Sequence, residues 1–197
     1  MPIPIPPRPS GYRLGAADAA IQIDAFIDLQ CEYSRRCWPV LRQLGADLGR
    51  DSAAITAHLT VISHHRQVWD VSCAAVAVAG DDPERFWRFA TFLYERQDSY
   101  LNGAMSERTP TDLRRMLAGY AAEFSGQGEP EVFVRRMVSD PVFAATKVPI
   151  RYGISRGVWS TPTFFINGAE ASQLSSASTV ADWRAILEPQ LSAIRAS

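Results

Sequence analysis

The stretch FIDLQCEYSRRCWPVL, residues 26–41, decides the fold prediction. It contains Cys31 and Cys37, two of the chain's three cysteines, six positions apart. The segment that leads into it, IQIDAFID at residues 21–28, is short, apolar and β-branched, as buried strands are. The residues from Arg35 to Leu48 have the pattern of a helix. Cys31 is therefore predicted to lie where a strand ends and a helix begins.

A thiol at the amino end of a helix is placed for nucleophilic chemistry. Free backbone N–H groups and the helix dipole favour the thiolate there, and the thiolate is the reactive species. Cys37 is not a partner for Cys31, because six helical residues correspond to about 9 Å of rise and a disulfide needs Cα atoms within roughly 7 Å. Cys37 and Cys73, the latter in the apolar run SCAAVAVA, are predicted to be buried core residues.

The rest of the chain is predicted to contain one more strand, a long block of helices, a β-hairpin and a closing helix. A second strand is predicted at Ile55–Ile62, and residues 68–156 have the pattern of nearly continuous helix. The segment TFFINGAEASQL predicts a β-hairpin, because Asn167-Gly168 tolerates the positive φ angles of a type I′ turn. A closing helix is predicted at Ser178–Ala196. The predicted order is β-α-β, a block of helices, then β-β-α.

Two segments in this order resemble those of a known family. FIDLQCEYSRRCWPVL is similar to the active-site segment of DsbA-like disulfide oxidoreductases, and GVWSTPTFFING is similar to that family's cis-proline segment and hairpin. LGAADAAIQIDAF and DDPERFWRFATFLYERQ resemble its lead-in strand and one of its insertion helices. The resemblance covers most of the chain from Gly11 to Leu191.

The resemblance implies an α/β chain with a thioredoxin-like fold and an inserted all-helical subdomain. The expected organisation is a proline-rich extended leader at 1–15 and one domain at 16–197, with the insertion at about 66–145. The resemblance implies that Cys31 is the nucleophile. Ser34, about one turn further along the helix, is expected to share the catalytic site. Glu32, Tyr33, Thr161 and Pro162 are expected to form the substrate-binding surface, with Thr161-Pro162 cis and facing the thiol.

Ser34 is the departure from the family pattern, since it stands where the resolving cysteine of a Cys-x-x-Cys pair belongs. Its hydroxyl is predicted either to donate a hydrogen bond to the Cys31 thiolate or to satisfy a first-turn amide. On either interpretation it forms no disulfide. Exchange through a single thiol ends at a mixed disulfide, which an outside thiol such as glutathione must release. The predicted function is therefore a glutathione-assisted thiol-disulfide oxidoreductase or isomerase. Glutathione would be a co-substrate, and no tightly bound cofactor is expected.

Two other functions stay open at this point. One is a non-catalytic peptide-binding module that keeps the groove and has lost turnover. The other is a glutathione-dependent transferase or isomerase resembling the kappa class, in which Ser34 would activate the bound thiol and Cys31 would have no assigned role.

Composition excludes several other classes of function. A net charge of −1 without a basic run argues against nucleic acid as a partner, and no apolar run approaches the roughly 18 residues of a membrane span. Three scattered histidines and three unclustered cysteines predict no metal site. An odd cysteine count and a start without a secretory pattern predict a cytoplasmic protein. The resemblance implies thiol- or disulfide-containing peptides and proteins, or glutathione, as its partners. For His64 and His65, which end a strand near the site, a catalytic role stays open, and a solvated loop pair is the preferred interpretation.

Overall fold

The structure is a computed structural model that describes residue 6, residues 8–47 and residues 52–196, with side chains described up to residue 193. Residues 1–5 and 7 of the predicted leader, and the predicted helix end at Leu48, lie outside the described residues. Within these ranges the elements are, in chain order, β1 (Tyr12–Leu14), β2 (Ile21–Ile27), α1 (Glu32–Asp47), β3 (Ala53–Leu59), α2 (Val68–Ala79), α3 (Pro83–Glu95), a 3-10 turn (Gln97–Tyr100), α4 (Pro110–Ser125), α5 (Pro130–Met137), α6 (Asp140–Ser155), β4 (Thr163–Ile166), β5 (Ala169–Glu170) and α7 (Val180–Ala196).

The strands form one sheet in the order β1-β3-β2-β4-β5. β2 and β3 are parallel and are joined by α1, while the other neighbouring pairs are antiparallel. A parallel pair needs a crossover connection, and α1 supplies it. The predicted β-α-β unit, the helical block and the final β-β-α unit are all confirmed. The chain is therefore an α/β protein with a thioredoxin-like sheet and a helical insertion.

The hairpin between β4 and β5 turns at the predicted pair. Asn167 has φ 49° and Gly168 has φ 82°. Both angles lie in the left-handed region that a type I′ turn requires, and Asn and Gly occupy that region at the lowest cost. The Asn167 side-chain oxygen also accepts a hydrogen bond of 2.7 Å from the Gln22 backbone N–H, which ties the turn to β2.

Alternate residues of β2 face two different layers, as the pleat of a strand requires. Ile21, Ile23, Ala25 and Ile27 belong to the main core. That core includes Trp38 and Leu41 of α1, Trp183 and Leu187 of α7, and apolar residues of the insertion. Phe26 faces the other layer, where it packs with Val158, Phe165 and the partly buried Tyr152.

Several predicted boundaries differ from the structure. α1 begins at Glu32 rather than Arg35, because the Arg35 N–H already bonds to the Cys31 carbonyl at 3.0 Å. β3 ends at Leu59 rather than Ile62, since the Ile62 N–H bonds to the side chain of Asp28 at 3.0 Å. The predicted leader contains the edge strand β1, whose Tyr12 pairs with Ala57.

The end of the helical insertion also differs from the prediction. The predicted end near residue 145 falls inside α6, which contacts β3 of the sheet. Helices α2 to α6 all lie between the β-α-β and β-β-α units, and both α3 and α6 contact the sheet.

Candidate active site

Cys31 lies at the junction that the sequence predicts. Its N–H bonds to the Asp28 carbonyl at 3.0 Å, and its own carbonyl accepts the N–H of Arg35 at 3.0 Å. It therefore precedes the first residue of α1 and has the bonding of a helix cap. The residue is only 5% exposed. A thiolate at this position lies at the positive end of the α1 dipole.

The loop before β4 supplies the other side of the site. The Thr161-Pro162 peptide bond is cis, and the Cys31 thiol donates a hydrogen bond to the Thr161 carbonyl, with 3.4 Å between sulfur and oxygen. The two residues are 130 positions apart in the chain. The structure thus brings together the two segments on which the sequence resemblance depends.

A groove with a volume of about 680 Å³ opens beside the thiol. Glu32, Tyr33 and Thr161, three of the four residues expected at a substrate-binding surface, line it, and Pro162 is not among its lining residues. Trp159 also lines it and is 85% exposed, and Tyr33 is 63% exposed. Exposed aromatic rings beside a reactive group offer contact area for an apolar segment of a substrate.

Ser34 lies beneath this surface and is fully buried. Its hydroxyl oxygen accepts a hydrogen bond of 3.2 Å from the backbone N–H of Asp28. The amide that Ser34 satisfies is therefore at the end of β2, and not in the first turn of α1. Among the described residues no hydrogen bond joins Ser34 to the Cys31 sulfur.

The other two cysteines are free and buried, as is Cys31. Burial raises the pKa of Cys37 to about 12, and it raises the pKa of Cys73 to about 11. The Cys37 thiol donates to the carbonyl of Ser34 at 3.3 Å, inside an unbroken stretch of α1. Both thiols therefore stay protonated at neutral pH and are held away from disulfide chemistry.

A buried acid that no local sequence pattern predicts lies three residues before Cys31. Asp28 has no exposed surface, and its carboxylate accepts three hydrogen bonds. Oδ1 accepts from the Gln30 N–H at 2.7 Å, while Oδ2 accepts from the Ile62 N–H at 3.0 Å and from His65 Nδ1 at 2.8 Å. The loop that carries Cys31 and the end of β3 are both anchored on this one side chain.

The interpretation of His65 as a solvated loop residue is wrong. Its side chain is only 15% exposed, because the bond to Asp28 draws the ring inward. His64 is exposed. Both histidines line the groove.

Amide side chains connect the helical insertion to the Cys31 loop. Gln30 Nε2 donates to Gln67 Oε1 at 2.7 Å, and Gln30 Oε1 accepts the Gln67 N–H at 2.9 Å. Gln97 Nε2 donates to the carbonyls of Leu29 and Cys31, at 3.0 and 3.1 Å. The sequence feature that could have indicated these contacts is the pair of polar residues, Asp28 and Gln30, within the otherwise apolar segment 26–30 before Cys31.

Across residue 6, residues 8–47 and residues 52–196, no group of three or more His, Cys, Asp or Glu side chains could hold a metal ion. Among the helices of the same residues, none combines the length and the apolar character that crossing a bilayer requires.

Comparisons with known proteins support the fold. No family model matches the sequence. Among solved structures, Chlamydia trachomatis DsbA superposes with a TM-score of 0.72 at 17% identity, over 98% of this chain and 99% of that one. A Pseudomonas syringae protein provisionally described as a protein-disulfide isomerase gives 0.75 at 19% identity, over 90% and 97%. BdbD from Bacillus subtilis gives 0.69 at 17% identity, over 92% and 93%.

These likenesses confirm the fold class predicted from the sequence. The chain has the DsbA-like form of the thioredoxin fold.

A curated relative matches by sequence over most of the chain. It is a Na⁺/H⁺ antiporter NhaA of Herminiimonas arsenicoxydans, 26% identical over 165 residues, which are 84% of this chain. The chain spans 23% of the length of that relative.

Proposed function

We propose that this protein catalyses thiol-disulfide exchange through the single thiol of Cys31, with glutathione completing the cycle. The observation that carries the proposal is the contact between the Cys31 sulfur and the Thr161 carbonyl at a helix start, beside an open groove. The names of the similar structures, which include DsbA and a provisional protein-disulfide isomerase, support the general reaction.

The absence of a second usable thiol determines the form of the cycle. Ser34 occupies the position one turn from Cys31, and Cys37 is buried with its thiol bonded to a backbone carbonyl. Exchange between one thiol and a disulfide ends at a mixed disulfide, so an external thiol must release it. Reduced glutathione is the small thiol that a reducing compartment supplies, and the proposal therefore includes a cytoplasmic location.

Each turnover in the proposed cycle consists of two thiol-disulfide exchange reactions. The Cys31 thiolate attacks the glutathione sulfur of a peptide–glutathione mixed disulfide, a new S–S bond forms, and the peptide leaves as a thiolate that takes up a proton. A second glutathione thiolate then attacks the Cys31–glutathione bond, which releases oxidised glutathione and restores the Cys31 thiolate. Each turnover converts one peptide–glutathione mixed disulfide and one reduced glutathione into one peptide thiol and one oxidised glutathione, and Cys31 ends unchanged.

The residues around the thiol have separate roles in this proposal. The backbone of Thr161 can pair with an extended peptide, as an added strand pairs with a sheet edge. Tyr33 and Trp159 provide apolar contact at the rim of the groove. Ser34 supports Cys31 indirectly, because its hydroxyl holds the Asp28 backbone at the end of β2.

The test is the turnover of a peptide–glutathione mixed disulfide, followed as oxidised glutathione by a coupled reductase assay. We expect catalysis by the parent protein, none by Cys31→Ser, and a rate close to the parent value for Cys73→Ala. Intact-mass measurement after treatment with oxidised glutathione should show one adduct on the parent protein and none on Cys31→Ser. A Cys31→Ser variant as active as the parent would refute the proposal.

The exposed aromatic rings favour one alternative, the peptide-binding module. In that case an extended apolar peptide binds the parent and Cys31→Ser equally well, and neither protein turns over the mixed disulfide. The transferase alternative requires the Ser34 hydroxyl at a bound thiol, whereas Ser34 is buried and its oxygen is bonded to Asp28. A glutathione-conjugation assay of Ser34→Ala against the parent tests that alternative directly.

A further inference from the structure

A second cavity lies between the sheet and α6, away from the thiol. It has a volume of about 710 Å³ and opens to solvent. We call it the sheet-face pocket, and its polar lining includes Ser10, Arg13, Asp24, His58, Arg151 and Tyr152. None of its lining residues lines the groove beside Cys31. Nothing in the proposed exchange reaction uses it.

The sheet under this pocket is polar where a helix-covered sheet is ordinarily apolar. Arg13 of β1 stands opposite Thr56 of β3, and Thr56 stands opposite Asp24 of β2. Side chains in one such row point to the same face of a sheet. Three adjacent strands thus present a guanidinium, a hydroxyl and a carboxylate to the same cavity, which no requirement of core packing explains.

A hydrogen-bonded relay crosses the floor of the pocket. His58 is buried, and its Nε2 lies 2.9 Å from Asp24 Oδ1 while its Nδ1 lies 3.2 Å from Ser10 Oγ. A carboxylate only accepts hydrogen bonds, so Nε2 carries a proton. In the neutral ring Nδ1 then accepts the Ser10 hydroxyl proton, which leaves the Ser10 oxygen free to accept from a ligand. The ring is held in place by stacking on Phe26, with centroids 4.8 Å apart.

Gly11 allows the chain to pass close enough to β3 for Ser10 to contact His58. It has φ +86°, and a Cβ atom there would come within 2.7 Å of His58 Nδ1 and 2.6 Å of Thr56 Cγ2. A residue without a side chain is therefore required at the entry to β1.

The charges that line the pocket are unbalanced. Arg8 is paired with Asp81, and Asp24 is engaged by His58. In the part of the chain that the structure describes, Arg13 and Arg151 have no carboxylate partner. Two guanidinium groups, which are the strongest oxyanion donors among side chains, therefore face the same cavity.

We propose that the sheet-face pocket binds a small molecule that carries an oxyanion group with a hydroxyl close to it. Arg13 and Arg151 bind the oxyanion, which is a carboxylate or a phosphate. The hydroxyl donates to the Asp24 carboxylate oxygen that His58 leaves unused, or to the Ser10 oxygen. This binding site is independent of the thiol chemistry.

Calorimetric titration with two matched pairs of probes tests the proposal and separates the two oxyanions. Malate differs from succinate by one hydroxyl, and glycerol 3-phosphate offers a hydroxyl that inorganic phosphate lacks. We expect the hydroxylated member of at least one pair to bind, and to bind more tightly than its matched probe. Arg13→Gln and Arg151→Gln should each weaken that binding about tenfold or more, the usual effect of losing a charge-assisted bond.

The matched control is Arg135→Gln, which removes an exposed arginine of α5 outside the pocket and should bind like the parent. Thermal unfolding of all three variants without probe should coincide with that of the parent, so that a loss of binding reports on the site. The proposal is overturned if none of the four probes binds at millimolar concentration. It is equally overturned if both pocket variants bind as tightly as Arg135→Gln does.

Discussion

Replacing Asp28 by Asn tests how strongly the buried acid holds the candidate site together. The carboxylate of Asp28 accepts hydrogen bonds from two backbone N–H groups and one imidazole nitrogen, at 2.7 to 3.0 Å. Asn keeps the shape but replaces one oxygen by an NH₂ group, which accepts nothing. We expect the amide oxygen of the variant to face Ile62 and His65, because that side has two hydrogen-bond donors. The NH₂ group then faces the Gln30 N–H, and that donor loses its acceptor.

The expected cost follows from these contacts. A buried donor without a partner costs about 1–3 kcal/mol, and the two retained bonds lose the contribution of the acceptor's charge. We expect the free energy of unfolding to fall by about 2–3 kcal/mol. For a chain of this size each kcal/mol corresponds to roughly 2–4 °C, so the midpoint of thermal unfolding should fall by about 4–12 °C.

Urea denaturation of the parent and Asp28→Asn measures the change in free energy directly. The matched control is Asp98→Asn, because the Asp98 side chain is 78% exposed and pairs with Arg35 at the surface. An exposed ion pair contributes about 1 kcal/mol or less, and this control should lie close to the parent. If Asp28→Asn is as stable as Asp98→Asn, then the three hydrogen bonds do not anchor the Cys31 loop.

Three further outcomes follow from the thiols. Brief alkylation near neutral pH should label Cys31 alone, because burial keeps Cys37 and Cys73 protonated; peptide mapping that finds Cys37 modified first would contradict the packing of α1. Protein stability should fall as the pH rises from about 9 towards 12, since the unfolded chain loses the protons of these two thiols before the folded chain does. Denaturation curves at pH 8 and pH 10.5 check this, and Cys73→Ala should reduce the difference. Ser34→Cys should form a disulfide with Cys31 and acquire insulin reductase activity, whereas an unbridged pair with no activity would show that the dithiol geometry is lost.

The sequence predicted those parts of the fold that local patterns encode. Strand β2, the helix after Cys31 and the Asn167-Gly168 hairpin each depend on neighbouring residues whose apolar spacing or turn chemistry is visible in a short window. The resemblance added the pairing of the Cys31 segment with Thr161-Pro162, which the structure places 3.4 Å apart.

Tertiary structure decided the partners of the polar residues. Asp28 looked like the last residue of an apolar strand, and only the return of the chain at residues 62–65 brings it a backbone N–H and an imidazole. Ser34 was predicted to serve its own helix or the thiol, and the packing of α1 against the end of β2 gives it the Asp28 amide instead. A hydrogen bond between residues far apart in sequence leaves no periodic trace, because it depends on where distant elements pack.

The same reason explains the sheet-face pocket. Ser10, Asp24, His58 and Arg151 share no common motif, and the first and last of them are 141 positions apart. The register of β2 against β3 places Asp24 and His58 on one face of the sheet, and the segment before β1 brings Ser10 to His58. Arg151 of α6 completes the lining. Local sequence determined which segments become strands and helices, because that choice depends on spacing within a few residues. Burial and pairing between strands determined which side chains meet, because those contacts exist only once the sheet has formed.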